Sequence, residues 1–142
     1  MKSITEIQEK IIDDFNMFED WMQKYEYLIE LGKELPVLEK KNKKDENLIK
    51  GCQSRVWLHA EKVDDKIKYS ADSDAIMTKG IIALLVGVLS NQEPSEIMKA
   101  KLSFIDEIGI KDQLSLTRAN GLVSMIKQMK IYALALNNEN EN

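Results

Sequence analysis

A chain of 142 residues, 44% hydrophobic and 31% charged, has the composition of an ordinary globular protein and the length of one domain. Its net charge of −4 argues against a nucleic-acid partner, because phosphates require a clustered basic surface. The longest apolar run, Ile81 to Leu89, is far shorter than the roughly 20 residues needed to cross a bilayer, so no membrane partner is expected. Charges recur from Lys2 onward with no export signal, and Cys52 has no second cysteine to pair with; the expected location is therefore cytoplasmic.

In chain order, Ser3 followed by Glu6 is a capping box, in which the serine oxygen takes an orphan N–H and the glutamate returns the favour. Ile4, Ile7, Ile11 and Phe15 then recur at helical spacing and predict a helix to Asn16 or Phe18. A second helix carries Trp21, Tyr25, Leu28, Ile29 and Leu35 on its inner stripe and is closed by Pro36. Glu39 to Asn47 mixes charges and amides without apolar periodicity and reads as a solvated loop.

A period-2 pattern follows. Val56, Leu58 and Ala60 face one way, with Arg55, Trp57, His59 and Glu61 opposite; after a turn at Asp64-Asp65, Ile67, Tyr69 and Ala71 alternate with Lys66, Lys68 and Ser70. This is a β-hairpin. Asp72-Ser73-Asp74 offers N-cap oxygens to a helix that is apolar nearly all round from Ile81 to Leu89 and is therefore expected to be buried. Asn91, Glu93 and Pro94 punctuate its end, Met98 to Phe104 is a candidate third strand, and Phe104, Ile105 and Ile108 suggest a helical turn stopped by Gly109. The last helix is expected to start near Ser115 or Thr117, with Leu122, Met125, Ile126, Met129, Tyr132, Ala133 and Leu136 on its stripe. The expected organisation is one domain, 1–136, and a disordered polar tail, 137–142. The order of elements gives an α+β fold, with helices packed on one face of a small antiparallel sheet.

The lone thiol Cys52 closes no internal disulfide and builds no thiolate metal cluster. Two readings stand. Free cysteine is among the most buried residue types, so an inert core residue is the plain one. Against it, the segment Lys50-Gly51-Cys52-Gln53-Ser54-Arg55 is polar and glycine-led. Lys50 and Arg55 would favour the thiolate, Gly51 opens backbone conformations barred to other residues, and Gln53 and Ser54 supply hydrogen-bonding groups. His59, the only histidine, stands seven residues on, roughly 20 Å along a straight strand, which disfavours a direct Cys–His dyad unless the loop folds back. One thiol and one imidazole also fall short of a zinc ligand set. Arg118 lies in the first turn of the last helix, where a cation opposes the helix dipole at a cost of a few tenths of a kcal/mol. It is either a plain surface arginine or one wanted for another purpose.

Gly51-Cys52-Gln53-Ser54-Arg55-Val56-Trp57-Leu58, then Asp72-Ser73-Asp74-Ala75, then Leu116-Thr117-Arg118-Ala119-Asn120-Gly121-Leu122 together resemble the SufE family, the sulfur acceptors of iron–sulfur cluster assembly. The likeness extends from the first helices to Leu136. It implies a fold similar to that of IscU-type scaffolds, with Cys52 as the catalytic residue on a loop formed with Gly51, Gln53, Ser54 and Arg55. It also implies two partners. A SufS-type cysteine desulfurase would hand its persulfide sulfur to Cys52 and be stimulated in return, and a SufB-containing scaffold of the SufBCD type would receive the sulfur. The chain would then be a persulfide carrier rather than an independent enzyme, with no metal or cofactor of its own, since pyridoxal phosphate belongs to the desulfurase. Self-association is expected to be nil or a weak homodimer. The loop is expected to shelter Cys52 until docking, with Gly51 as the hinge. Arg118 matches the family's arginine and is expected to contact the desulfurase or the Cys52 loop. Asp74 also matches and is a candidate for partner binding, with a helix-cap role as the simpler explanation. The alternative is a stand-alone cysteine enzyme, a hydrolase or thiol peroxidase; it needs a base or resolving thiol, and neither is visible in the sequence.

Overall fold

The structure of the chain, a computed structural model, describes residues 2–51 and 54–139. Its α-helices and strands are α1 (Ile4–Asn16), α2 (Trp21–Glu34), β1 (Val56–Val63), β2 (Lys66–Ser73), α3 (Ile76–Leu89), α4 (Pro94–Lys99), α5 (Phe104–Glu107) and α6 (Leu116–Glu139). Short 3₁₀ turns occur at Lys40–Asn42, Asp45–Asn47 and Ile110–Gln113. This is the α+β class expected from the order of elements.

The strands form an antiparallel hairpin in which Val56 pairs with Ser73 and Val63 with Lys66. Asp64 and Asp65 both take positive φ, 51° and 66°, as a two-residue hairpin turn of matching twist requires. Alternation then sorts the side chains. Val56, Leu58, Ile67, Tyr69 and Ala71 are buried on the inner face, where α3 lies against β2 and α6 against β1. Trp57, His59 and Glu61 share the other face with Lys68, Ser70 and Asp72. The buried Tyr69 hydroxyl donates to the Met129 carbonyl and so ties β2 to α6; burial pushes its pKa well up, which keeps it a neutral donor.

Ser3 caps α1 in the expected reciprocal box, accepting from Glu6 N at 3.1 Å while Glu6 Oε1 accepts from Ser3 N at 3.4 Å. Asp20 caps α2 by accepting from Gln23 N. α3 is buried along most of its length, including Leu84, Leu85, Val88 and Leu89, and packs closely on α2. Two glycines make that approach possible. A Cβ on Gly32 would come within 3.0 Å of the Gly80 amide nitrogen, and one on Gly80 would run into the Leu28 carbonyl.

Four expectations are corrected. Met98 to Phe104 forms no strand, and among the described residues the sheet has two strands. Pro94 opens α4 at its first turn, where its missing N–H costs nothing, and the extended stretch after Lys99 is satisfied by a buried side chain: Gln8 Nε2 donates to the Lys101 carbonyl and Gln8 Oε1 accepts from Phe104 N. The last helix runs on to Glu139, past Leu136, because each added residue of a helix gains a backbone bond without a new nucleation cost. The charged stretch 39–47 is mostly exposed but not free, since Lys43 is anchored to Asp72 on the hairpin. Asp74 does not cap α3. The N-cap residue is Ala75, without a side-chain bond to the helix, and the Asp74 carboxylate is engaged elsewhere.

Candidate functional site

The segment around residue 52 is built from the hairpin outward. Ile49 N donates to the Val56 carbonyl at 2.9 Å, and Leu48 bridges to Trp57, so the chain leaving 49 returns to its own neighbourhood at 56. On the returning side, Arg55 is held by its backbone. Its N–H donates to Asp74 Oδ1 at 3.1 Å and its carbonyl accepts from Ser73 Oγ at 2.8 Å. Ser73 Oγ also accepts from Ala75 N at 3.2 Å. The register explains this: Val56 pairs with Ser73, which sets Arg55 opposite Asp74. On the incoming side, Gly51 has φ +89°, and a Cβ there would stand 3.1 Å from Ser124 Oγ on α6. A left-handed backbone with so little room suits glycine. Cys52 and Gln53 lie outside the described residues, between these anchors in the chain.

Beside this segment lies a cavity of about 390 Å³. Ser54 and Val56 contribute to its wall from the hairpin side, Tyr25 and Ile29 from α2, Met77, Thr78, Ile81, Ile82 and Leu85 from α3, and Arg118, Gly121, Leu122 and Met125 from α6, with Gln113 and Leu114 just ahead of that helix. The wall is mainly aliphatic and thioether, with few polar groups, and Arg118 is the one cation among the described lining residues. Ser115 Oγ accepts from Arg118 N at 3.2 Å, which caps α6 and fixes where the arginine leaves the helix. Its place against the dipole is thus accounted for by position: the first turn of α6 is where a side chain reaches this wall.

The structure brings Ser54 and Arg118, 64 positions apart in the sequence, to one cavity. It joins Arg55 to Asp74 through the backbone amide, and sets Gly51 against α6. Arg55 itself is exposed. His59 lies on the other face of the hairpin, across from Ser70, away from the cavity wall that Val56 supplies. Tyr25, Gln113, Met77 and Ser124 were not singled out by the sequence. Tyr25 carried a signal only as part of a helix stripe, and Gln113 carried none. The anchor of the incoming arm was also missed. Asp72, whose side chain is 15% exposed, holds Lys43 Nζ at 2.6 Å and Lys79 Nζ at 3.2 Å. Burial pushes the Asp72 carboxyl up, but the bonds from Lys43, the Ser73 amide and Lys79 outweigh it and hold the group below its ordinary range. Among the described residues no three His, Cys, Asp or Glu side chains converge as metal ligands, and no helix is long and apolar enough to cross a membrane.

Relatives match this framework over most of its length. The chain is 39% identical over 127 residues to an uncharacterized SufE-like protein of Rhizobium meliloti, covering 86% of this chain and 91% of that one. It is 36% identical over 126 residues to an uncharacterized SufE-like protein of Synechocystis, covering 89% and 79%. A SufE-like protein 1 (chloroplastic/mitochondrial) of Arabidopsis thaliana is 38% identical over 129 residues, which span 90% of this chain and 35% of the plant protein. The fold is similar to the solution structure of a hypothetical protein from Thermus thermophilus, with a TM-score of 0.78 at 15% identity, covering 93% of this chain and 96% of that one. The family model for SufE, the Fe-S metabolism associated domain, matches residues 9–133, and the chain belongs to the SufE family.

Proposed function

We propose that this SufE-family chain is a sulfur acceptor that works on a cysteine desulfurase of the SufS type. The Cys52 thiolate attacks the outer sulfur of a persulfide on the desulfurase. A new S–S bond forms at Cys52, the old S–S bond breaks, and the desulfurase thiolate leaves with the electron pair. No oxidant or reductant is consumed. By the same exchange Cys52 passes the sulfur on to a SufB-containing scaffold. Pyridoxal phosphate stays with the desulfurase, and clearing its persulfide is what stimulates its turnover.

The observation that carries this reading is the shared cavity. Ser54, from the segment that holds the only cysteine, and Arg118, from the first turn of α6, line one largely aliphatic cavity. An apolar wall next to that segment would shelter a reactive sulfur brought against it from water and oxidants. A cation in its wall suits either the persulfide anion or an acidic surface on the desulfurase, and this is the role we give Arg118. Asp74 serves by holding the returning arm of the loop, through the Arg55 amide.

The test is an intact mass under non-reducing conditions after incubation with a cognate desulfurase and free cysteine. The wild type gains one sulfur atom and Cys52→Ser gains none. In the same mixture Arg118→Glu lowers the stimulation of the desulfurase. An unlabelled wild type beside a competent desulfurase would sink the carrier; unchanged stimulation and binding by Arg118→Glu would remove the arginine from it.

A further inference from the structure

The cavity beside the hairpin is larger than a sulfur carrier needs. It measures about 390 Å³, within the roughly 300–1,000 Å³ of sites that hold a whole small molecule, whereas a transferred sulfur is one atom. Water fills it poorly. At ~30 Å³ each, roughly a dozen waters would fit, and each needs about three hydrogen bonds. Val56, Ile82, Leu85, Leu122 and Met125 are buried side chains of the wall, and they offer water almost nothing. A void against them forfeits dispersion contacts. The occupant that suits this part of the wall is aliphatic.

The remainder of the wall selects a head group. Gln113 and Arg118 are exposed, and Tyr25, Ser54 and Thr78 are half-buried. These five carry all the side-chain oxygen and nitrogen atoms of the described lining residues. The chain has 24 acidic residues, yet none is among the described lining residues, so the Arg118 charge has no acid beside it in that wall. A guanidinium meets a carboxylate through two parallel N–H···O bonds. Arg118 also stands in the first turn of α6 (Leu116–Glu139), where the positive end of the helix dipole favours an anion. One cation balances one negative charge, which suits a monoanion better than a phosphate dianion.

From these two halves we infer that the cavity is a binding site for an aliphatic carboxylate, with its chain against Ile82, Leu85, Leu122 and Met125 and its head group on Arg118. The site goes beyond the carrier reading and does not depend on it.

The probe is octanoate, kept below its micelle concentration and titrated into the full chain with isotope-labelled methionine methyl groups. Met77 and Met125 line the cavity. Met98 lines a separate apolar groove with Val123, Lys127 and Leu134, and Met17 is exposed. Octanoate shifts the Met77 and Met125 signals saturably and leaves Met98 and Met17 in place. Binding tightens up to roughly fourfold per methylene from butanoate to octanoate. Octan-1-ol, which lacks the charge, binds about tenfold more weakly. Arg118→Gln loses a similar factor toward octanoate and nothing toward octan-1-ol, while Lys127→Gln binds octanoate like wild type. Shifts at Met98 or Met17 equal to those at Met77 overturn the site. Equal affinity for octanoate and octan-1-ol also overturns it, without any variant having to fold. So does an Arg118→Gln chain that binds octanoate as wild type does, or a Lys127→Gln loss that matches it. A wild type that takes no sulfur from the desulfurase sinks the carrier reading alone. One that takes sulfur but shows no Met77 or Met125 shift with octanoate sinks the site alone.

Discussion

The α2–α3 contact and the straps around residues 49–55 are held by different means. Where α2 meets α3, Gly32 and Gly80 bring backbone against backbone, and close packing offers no alternative arrangement at low energy. Around 49–55, the chain is held by single bonds from Val56, Ser73 and Asp74, and further back Lys43 is held by Asp72. Each such bond is worth about 1 kcal/mol net, so any one can be released while the others persist. The carrier role proposed above, in which a thiol is presented to two partners, would be served by this division. The helices and hairpin keep the cavity in shape, whereas the described ends of the segment beside it, Ile49 and Arg55, are each held by one or a few hydrogen bonds.

Four changes break or sharpen that contrast. The largest effect is expected from Gly80→Ala, whose Cβ runs into the Leu28 carbonyl; overpacking against backbone should cost about 3 kcal/mol. Denaturant unfolding reads the loss, and a stability equal to wild type would show that the two helices can move apart freely. Gly51→Val comes next. Its φ of +89° and the nearby Ser124 Oγ make the change cost about 1–3 kcal/mol, and the strain should be relieved by shifting the incoming arm. Cys52 alkylation would then change far more than in Gly80→Ala measured at equal folded fraction.

Asp74→Ala removes the acceptor for Arg55 N at an exposed site, an effect of about 1 kcal/mol, whereas Asp74→Asn keeps a carbonyl oxygen in place and stays near wild type. Hydrogen exchange at the Arg55 amide checks this. A fast-exchanging Asn variant would mean that charge, not the hydrogen bond, holds the arm. The smallest effect concerns acid. Because the Asp72 carboxyl is held below its ordinary range in the fold, its stabilising contribution is complete above the unfolded value of about 3.9 and is lost as pH falls through the lower folded value. Asp72→Asn should therefore show a flatter loss of stability below about pH 4 than wild type; identical acid unfolding curves would count against the lysine pairing.

Much of the scaffold is legible in the order of residues alone. The capping box at Ser3 and Glu6, the Asp64-Asp65 turn, the alternation from Val56 to Ala71 and the apolar α3 are local patterns, and local patterns report the period of the backbone. The missed features depend on what lies far away. The stretch after Lys99 resembled a strand because it is extended, but its donors and acceptors go to Gln8, more than ninety positions earlier. Asp74 read as a cap because caps and loop clamps use the same oxygen; only the pairing of Val56 with Ser73 decides which N–H it meets. Lys43 read as one more solvated charge, since nothing in its neighbours points to Asp72.

By itself the sequence determined the class of fold and the family, because both follow from local periodicity and from motifs at short spacing, and it pointed to Cys52, one thiol in a polar, glycine-led segment, as the residue on which the proposed function rests. Only the tertiary structure decided that Ser54 and Arg118 share an apolar cavity, that Arg55 is clasped by Ser73 and Asp74, and that Asp72 carries two lysines. Those pairings join residues remote in the chain, and a side chain's partner is fixed by the packing of helices on the hairpin, which no local spacing encodes.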